Sequence, residues 1–271
     1  MVMRPPLINV MAKAAEKAAK GLRRDFGEVE HLQISRKGPA DFVSSADLKA
    51  QAILREELGK ARPDFGFLME EDDKAADTSG RKERWIVDPL DGTTNFLHGI
   101  PHWAISIAVE RDGEIFAGLI YNPITDDMFW AEKGLGAFLN SQRLRVSARS
   151  EFSECLLGTG LPFKGEHNAD FSQAERDIKA IMPLTSGIRR MGAAALDMAY
   201  VAAGRYDGYW ERAIKIWDIA AGLVIVREAG GFVSPIEAKG NVLHDGLIAT
   251  NAAIHDRLVN LLREARARQA A

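Results

Sequence analysis

The chain has 271 residues, 46% of them hydrophobic and 27% charged, with a formal net charge of −3. This is a globular composition, long enough for one large domain or two lobes sharing a core, and its charge supplies no general field for nucleic acid or a membrane surface. Cys155 is the only cysteine, which excludes an intrachain disulfide and a Cys-based zinc site and fits a reducing, cytoplasmic setting.

Leu7, Val10, Met11, Ala14, Ala15, Ala18 and Leu22 recur at helical spacing with lysines on the opposite face, so an amphipathic helix is expected over 7–22. Lys13, Glu16, Lys17 and Lys20 leave no apolar core for a signal peptide, and no run reaches the ~18 apolar residues of a membrane span. A short strand is expected at 31–35, then a helix over 46–59 with Ser44 or Ser45 as its cap. Residues 85–88 read as a short buried strand ending at Pro89. Strands at 103–110, 114–121 and 128–131, joined by turns at 111–113 and at Asn122-Pro123, make an antiparallel meander.

Beyond about residue 150 the pattern changes. Strands expected at 155–159, 206–210, 231–234 and 247–250 alternate with helices at 170–182, 193–204, 218–229 and 252–267, which is α/β layering. No Ser/Gly-rich linker separates the halves. The expectation is a single domain over 1–271 with two lobes, α+β at 1–150 and α/β at 151–271.

The densest chemistry lies in Trp85-Ile-Val-Asp88-Pro-Leu-Asp91-Gly-Thr-Thr-Asn-Phe96. Two carboxylates three residues apart follow a strand, and Pro89 fixes the turn. Hard cations such as Mg²⁺ take oxygen ligands in near-octahedral geometry, and such a corner can aim Asp88, Asp91 and the Leu90 carbonyl at one point. A helix opened by Thr93 or Thr94 would leave free N–H groups for a phosphate. The same Asp-x-x-Asp-Gly is also an ordinary surface turn. Aspartyl-nucleophile phosphatases space their two Asp residues two apart, and the spacing of three speaks against that chemistry.

Three further segments carry acids. Glu70 and Glu71 follow the apolar Phe67-Leu-Met and read either as a strand ending in ligands or as a solvated charge run. Asp218 in Ile216-Trp217-Asp218 is a natural helix N-cap and a candidate ion ligand. Asp41 and Asp47 precede the 46–59 helix or begin it, where the dipole favours Asp47.

Together these segments resemble the inositol monophosphatase family, with two signatures nearly intact: the one at 85–96, and Trp217-Asp-Ile-Ala-Ala-Gly222 leading to Glu228-Ala-Gly-Gly231. The resemblance spans essentially the whole chain, and its bacterial inositol-1-monophosphatase branch is the nearest match. It implies an α/β (α+β by some schemes) fold, a layered αβαβα sandwich of the type shared with fructose-1,6-bisphosphatase, usually homodimeric and inhibited by Li⁺. It implies two or three Mg²⁺ ions per site. Glu70, Asp88, the Leu90 carbonyl and Thr93 would surround the first. Asp88, Asp91 and Asp218 would hold the second, and a weaker third would lie near Glu70. Asp47 and Thr93, assisted by Glu70, would orient and deprotonate the attacking water; Gly92 and Thr93 would offer N–H groups to the phosphate. Gly192, Ala193, Ala194 and Glu211 would meet the alcohol, together with Asp218. Met69, where relatives often carry Gly, and Ala193, where Ser or Thr is common, depart from the pattern.

The implied reaction is hydrolysis of a phosphate monoester by a metal-activated water, with myo-inositol 1-phosphate as the first choice. Histidinol phosphate, 3′-phosphoadenosine 5′-phosphate and fructose-1,6-bisphosphate are the alternatives. Glu211 favours a polyol, because a carboxylate accepts hydroxyl hydrogen bonds and repels a second phosphate. Some bacterial relatives bind RNA polymerase, and Arg189-Arg190 and the basic run 263–268 are the stretches to which such a contact, or one with nucleic acid, would fall; each also reads as a solvated face. His31, His98, His102, His167, His244 and His255 show no metal-ligand spacing and read as structural.

Overall fold

The computed structural model describes residues 3–26, 34–38, 41–72, 81–162, 170–243 and 245–267. Expectations at 31–33, His167, His244 and Arg268 lie outside the described residues.

The chain opens with α1 (Pro6–Phe26), Pro6 taking the first helical position, where its missing N–H costs nothing. The apolar stripe on α1 runs from Leu7 to Leu22 as the spacing requires, and its alanines let a second helix approach closely. After the hairpin β1 (Ile34–Gly38) and β2 (Asp41–Ser44) comes that helix, α2 (Ser45–Ala61). Both helices cover one face of a seven-stranded sheet: β3 (Gly66–Met69), β4 (Glu83–Asp91), β5 (Ala104–Arg111), β6 (Glu114–Asn122), β7 (Asp127–Glu132), β8 (Gly136–Leu139) and β9 (Gln142–Arg143), in that spatial order. β3 and β4 run parallel and every later pair is antiparallel, so the meander is as expected, extended by β8 and β9.

Side chains alternate across this sheet with period two. Trp85 and Val87 of β4 join Leu54, Trp103 and Ile107 beneath α1 and α2. Ile86 faces the other way, into a cluster with Ala108, Ile120 and Phe129 that packs on α5 (Ala194–Ala202) and α6 (Ile216–Glu228). α6 is apolar nearly all round because it is the central layer, sheet on both sides. It lies so close to β6 that a Cβ on Gly118 would stand 2.6 Å from the Ala221 carbonyl oxygen.

Beyond α5 and α6 lies a five-stranded sheet in the order β11 (Gly187–Arg189), β10 (Leu156–Thr159), β12 (Gly208–Glu211), β14 (Leu247–Thr250), β13 (Phe232–Pro235). β10 runs parallel to both neighbours while β14 is antiparallel to both of its own, so the layer is mixed. Its outer face buries Leu157, Trp210 and Ile248 against α4 (Phe171–Ile181) and α7 (His255–Ala267). The stack is therefore αβαβα. The last helix starts at His255 rather than at 252, because the Asn251 side chain accepts hydrogen bonds from the amides of Ala253 and Ile254 and holds that stretch as a turn.

Candidate metal and phosphate site

The site forms where β4 ends. Ile86 and Asp88 face the central layer, and strict alternation would send Asp91, three residues on, to the opposite face. The register with β5 shows how this is avoided: Asp88 pairs with Ser106 and Asp91 with Ala104, three steps on one strand against two on the other. One extra residue makes a β-bulge, which absorbs Pro89 and turns Asp91 back beside Asp88. The Asp88 carboxylate closes the bulge by accepting the Leu90 amide at 2.8 Å. Strand β4 thus runs through the proline, beyond the expected end at residue 88.

The third acid comes from α6. Asp218 is not the N-cap but the third helical residue; Lys215 is the cap, and its amide donates to Asp218 Oδ2 at 3.0 Å. The helix starts two residues earlier than expected because apolar Ile216 packs into the core as its first residue. Ser106 on β5 ties this start to the sheet, its hydroxyl donating to the Trp217 carbonyl at 3.2 Å. Carboxylate oxygens of Asp88, Asp91 and Asp218 all lie within 4.8 Å of one another.

Crowding of like charges in a buried place governs the electrostatics. Burial first, then the charges of Glu70, Asp91 and Asp218, hold Asp88 well above the ordinary carboxylate range. Burial and Asp218 raise Asp91, against the opposing pull of the Ala195 amide, which donates to Asp91 Oδ2 at 2.9 Å. Burial and Glu70 raise Asp218. Glu70, just past β3, acts on Asp88 through both charge and a hydrogen bond. Three hard oxygen donors at this separation, each disfavoured as an anion without a counter-charge, fit a divalent cation such as Mg²⁺.

Next to them stands a polar pair. Asp47, in the first turn of α2 and fully buried, lies 3.3 Å from the Thr93 hydroxyl, which is also 3.1 Å from the Leu90 carbonyl. Thr93 opens the short helix α3 (Thr93–Leu97), with Gly92 before it in the left-handed region at φ 91°. A Cβ at Gly92 would meet the His102 carbonyl at 3.1 Å and the Ala193 side chain at 3.2 Å, so this corner also touches the start of α5. Gly192 has φ 82° and Ala193 is buried as the cap of α5. Glu211, at the end of β12, accepts a hydrogen bond from the Tyr209 hydroxyl and raises the pKa of Asp91.

All the expected residues are thus distributed around one region. The Asp88, Asp91 and Asp218 carboxylates form the cluster, with Glu70 beside Asp88. Asp47 and Thr93 lie at one side, and Gly92 joins the cluster to the 192–194 segment. Asn95 and Asp197, which carry no site role in the sequence pattern, also lie here. Asn95 donates from its side chain to the carbonyls of His102 and Met191, at 2.7 and 2.8 Å, and so locks α3 to the 191–192 loop. Asp197, buried in α5, has an Oδ1 without a hydrogen-bond partner among the described residues; burial and Glu211 raise its pKa. The only sequence signal for Asn95 is its place at the end of Gly-Thr-Thr-Asn. Of the arginines considered for a partner contact, Arg189 and Arg190 are exposed, whereas Arg263 donates to the Ile236 carbonyl and Arg266 pairs with Glu237.

The model of the inositol monophosphatase family matches residues 3–267. The inositol-1-monophosphatase of Rhizobium meliloti is 54% identical over 261 residues, 96% of each chain. The Nus factor SuhB of Pseudomonas aeruginosa is 37% identical over 260 residues, 95% of this chain and 96% of its own. Among solved structures, the extragenic suppressor protein SuhB of Bartonella henselae superposes with a TM-score of 0.89 at 52% identity, covering 95% of this chain and 98% of that one. The chain belongs to the inositol monophosphatase family.

Proposed function

We propose that this member of the inositol monophosphatase family is a Mg²⁺-dependent phosphoric monoester hydrolase whose preferred substrate is myo-inositol 1-phosphate. The observation that carries the reading is the buried trio Asp88, Asp91 and Asp218 within 4.8 Å, next to the Asp47–Thr93 pair. Relatives named inositol-1-monophosphatase support the substrate.

Asp88, Asp91 and Asp218, with Glu70, the Leu90 carbonyl and Thr93, are the groups that would hold two or three Mg²⁺. Bound Mg²⁺ supplies the positive charge that acidifies a water, neutralises the phosphate and stabilises the departing alkoxide. The chain's own residues do the rest. Asp47 accepts a proton through the Thr93 hydroxyl, which fixes the direction from which a water can attack. The amides of Gly92 and Thr93, at the start of α3 where a helix leaves its first N–H groups free, would donate to the phosphate oxygens. Glu211 accepts hydrogen bonds from the hydroxyls of the alcohol, and the 192–194 backbone lies alongside it.

No phosphoenzyme is part of this scheme. Cys155 is fully buried, and burial pushes its thiol up to about 11, so it offers no thiolate. The same reading includes a single-domain homodimer, Li⁺ inhibition and a cytoplasmic site of action. No helix among the described residues is long and apolar enough to cross a membrane.

The test is a phosphate-release panel with myo-inositol 1-phosphate, histidinol phosphate, 3′-phosphoadenosine 5′-phosphate and fructose-1,6-bisphosphate, with Mg²⁺ and with EDTA. Highest kcat/KM on the inositol ester, lost in EDTA, is expected. A clear preference for the nucleotide or the bisphosphate would replace the substrate assignment.

A second role beside hydrolysis is favoured by the relatives named Nus factor SuhB. Exposed Arg189 and Arg190 are the surface to test for binding to RNA polymerase, by pull-down with an inactive variant.

A further inference from the structure

Glu211 has a built support that the family reading does not use. β10 and β12 lie side by side and parallel, with Gly158 opposite Tyr209 and Thr159 opposite Trp210. Gly160, one residue past β10, lies beside Glu211, the last residue of β12. Residues two apart on a strand share a face, so Gly158 and Gly160 line one side of β10 while Tyr209 and Glu211 lie along the matching side of β12.

Each glycine makes room for its neighbour. A Cβ at Gly158 would stand 2.9 Å from the Tyr206 ring and 3.2 Å from the Tyr209 ring, and one at Gly160 would overlap the Glu211 carboxylate itself. Neither glycine has a positive φ, so the need is for space and not for backbone freedom. Tyr209 is fully buried and belongs to the central apolar cluster. Its ring serves packing, but a buried hydroxyl is costly unless bonded, and this one donates to Glu211 Oε2.

We infer that Tyr209 is a positioning residue for substrate selection: its hydroxyl holds the Glu211 carboxylate against the Gly160 backbone, so that the acid meets the substrate hydroxyls in one fixed orientation. Burial, then the charges of Glu211 and Asp197, keep the phenol protonated far above neutral pH, so it stays a donor throughout the working range. The selecting unit is thus a Gly-x-Gly strip facing Tyr-x-Glu, and the Tyr209 hydroxyl acts through the orientation of the Glu211 carboxylate. The inference rests on the reading of Glu211 as the acceptor of substrate hydroxyls.

The experiment compares myo-inositol 1-phosphate with p-nitrophenyl phosphate, which has no alcohol hydroxyls, in wild type, Tyr209→Phe, Gly160→Ala and Glu211→Gln, with melting temperatures alongside. Phe keeps the ring and removes only the donor. Loss of one hydrogen bond to a charged group is expected to raise the KM for the inositol ester about tenfold, with kcat within about twofold. The ratio of kcat/KM values, inositol ester to p-nitrophenyl ester, falls accordingly. Gly160→Ala and Glu211→Gln lower the same ratio at least as far. If Glu211→Gln lowers it and Tyr209→Phe does not, the inference is overturned while the role of Glu211 stands. If Glu211→Gln leaves it unchanged, the role of Glu211 fails and the inference with it. If Tyr209→Phe lowers the melting temperature and slows both esters equally, the hydroxyl is structural and the inference is likewise overturned.

Discussion

The Asp91 carboxylate accepts the Ala195 amide at 2.9 Å, across 104 positions of sequence. Asp91 ends β4 and Ala195 lies in the first turn of α5, so a candidate metal ligand doubles as the cap of a helix in the next layer. The α5 cap, Ala193, has no side-chain acceptor of its own. One carboxylate therefore registers the phosphate end of the site to the 192–194 segment, where the alcohol would lie.

Metal should restore what proton binding now supplies. Burial and mutual repulsion raise Asp88, Asp91 and Asp218, so the metal-free folded state keeps protons that the unfolded chain releases at about pH 4. The stability from these protons is present below that pH and is lost as pH rises through the raised values. Mg²⁺ competes with the same protons and binds more tightly as pH rises. The increase in melting temperature on adding Mg²⁺ should therefore be larger at about pH 8 than at about pH 6. Differential scanning fluorimetry with EDTA and Mg²⁺ arms measures it, and a larger increase at the acid end would contradict the assignment.

Gly92→Ala should damage both stability and turnover. Its φ of 91° costs an L-residue about 1–2 kcal/mol, and the new methyl meets the His102 carbonyl and Ala193 at 3.1 and 3.2 Å. Urea unfolding should show that loss, with a larger proportional fall in kcat because Thr93 moves with the corner.

Thr93→Ser and Thr93→Ala separate hydroxyl from methyl. Ser keeps the oxygen placed between Asp47 and the Leu90 carbonyl, so its kcat should stay within about tenfold of wild type. Ala removes it, and a loss of about 10²–10⁴ in kcat is expected for a positioned proton acceptor deprived of its relay. Equal rates for the two variants would remove Thr93 from the mechanism.

Gly118→Ala tests the layer contact and not the chemistry. Its Cβ would stand 2.6 Å from the Ala221 carbonyl oxygen and 2.8 Å from its Cα. Backbone cannot yield as a side-chain end can, so β6 and α6 must separate, at a cost of about 1–3 kcal/mol. A melting temperature equal to wild type would show that this contact is looser than described.

Much of this was legible in the sequence, for identifiable reasons. The meander from β5 to β7 announces itself through alternating apolar residues and turn residues at its corners, and the six candidate acids, Asp47, Glu70, Asp88, Asp91, Glu211 and Asp218, announce themselves by type. What could not be read was geometry that depends on a distant partner. Asp88-Pro-Leu-Asp91 looks like a strand broken by proline, but the two-against-three register with β5 makes it a bulge that unites the acids. Asp218 looks like a cap, yet Ile216 is apolar enough for the core to claim it as the start of the helix. β8, β9 and β11 are short, and pairing more than local preference defines them. The service of Asn95 to Met191 and the α5-capping bond of Asp91 reach roughly a hundred residues down the chain, beyond any local pattern.

The claim that Asp88, Asp91 and Asp218 form a Mg²⁺ site for ester hydrolysis is tested most directly by Asp218→Asn. Asparagine can still accept the Lys215 amide, so the helix start is kept while the charge is removed. Release of phosphate from myo-inositol 1-phosphate, followed across a Mg²⁺ titration against wild type, should fall by about 10²–10³ in kcat/KM with an unchanged circular dichroism spectrum. Wild-type turnover by the variant, or wild-type turnover that survives EDTA, would contradict it.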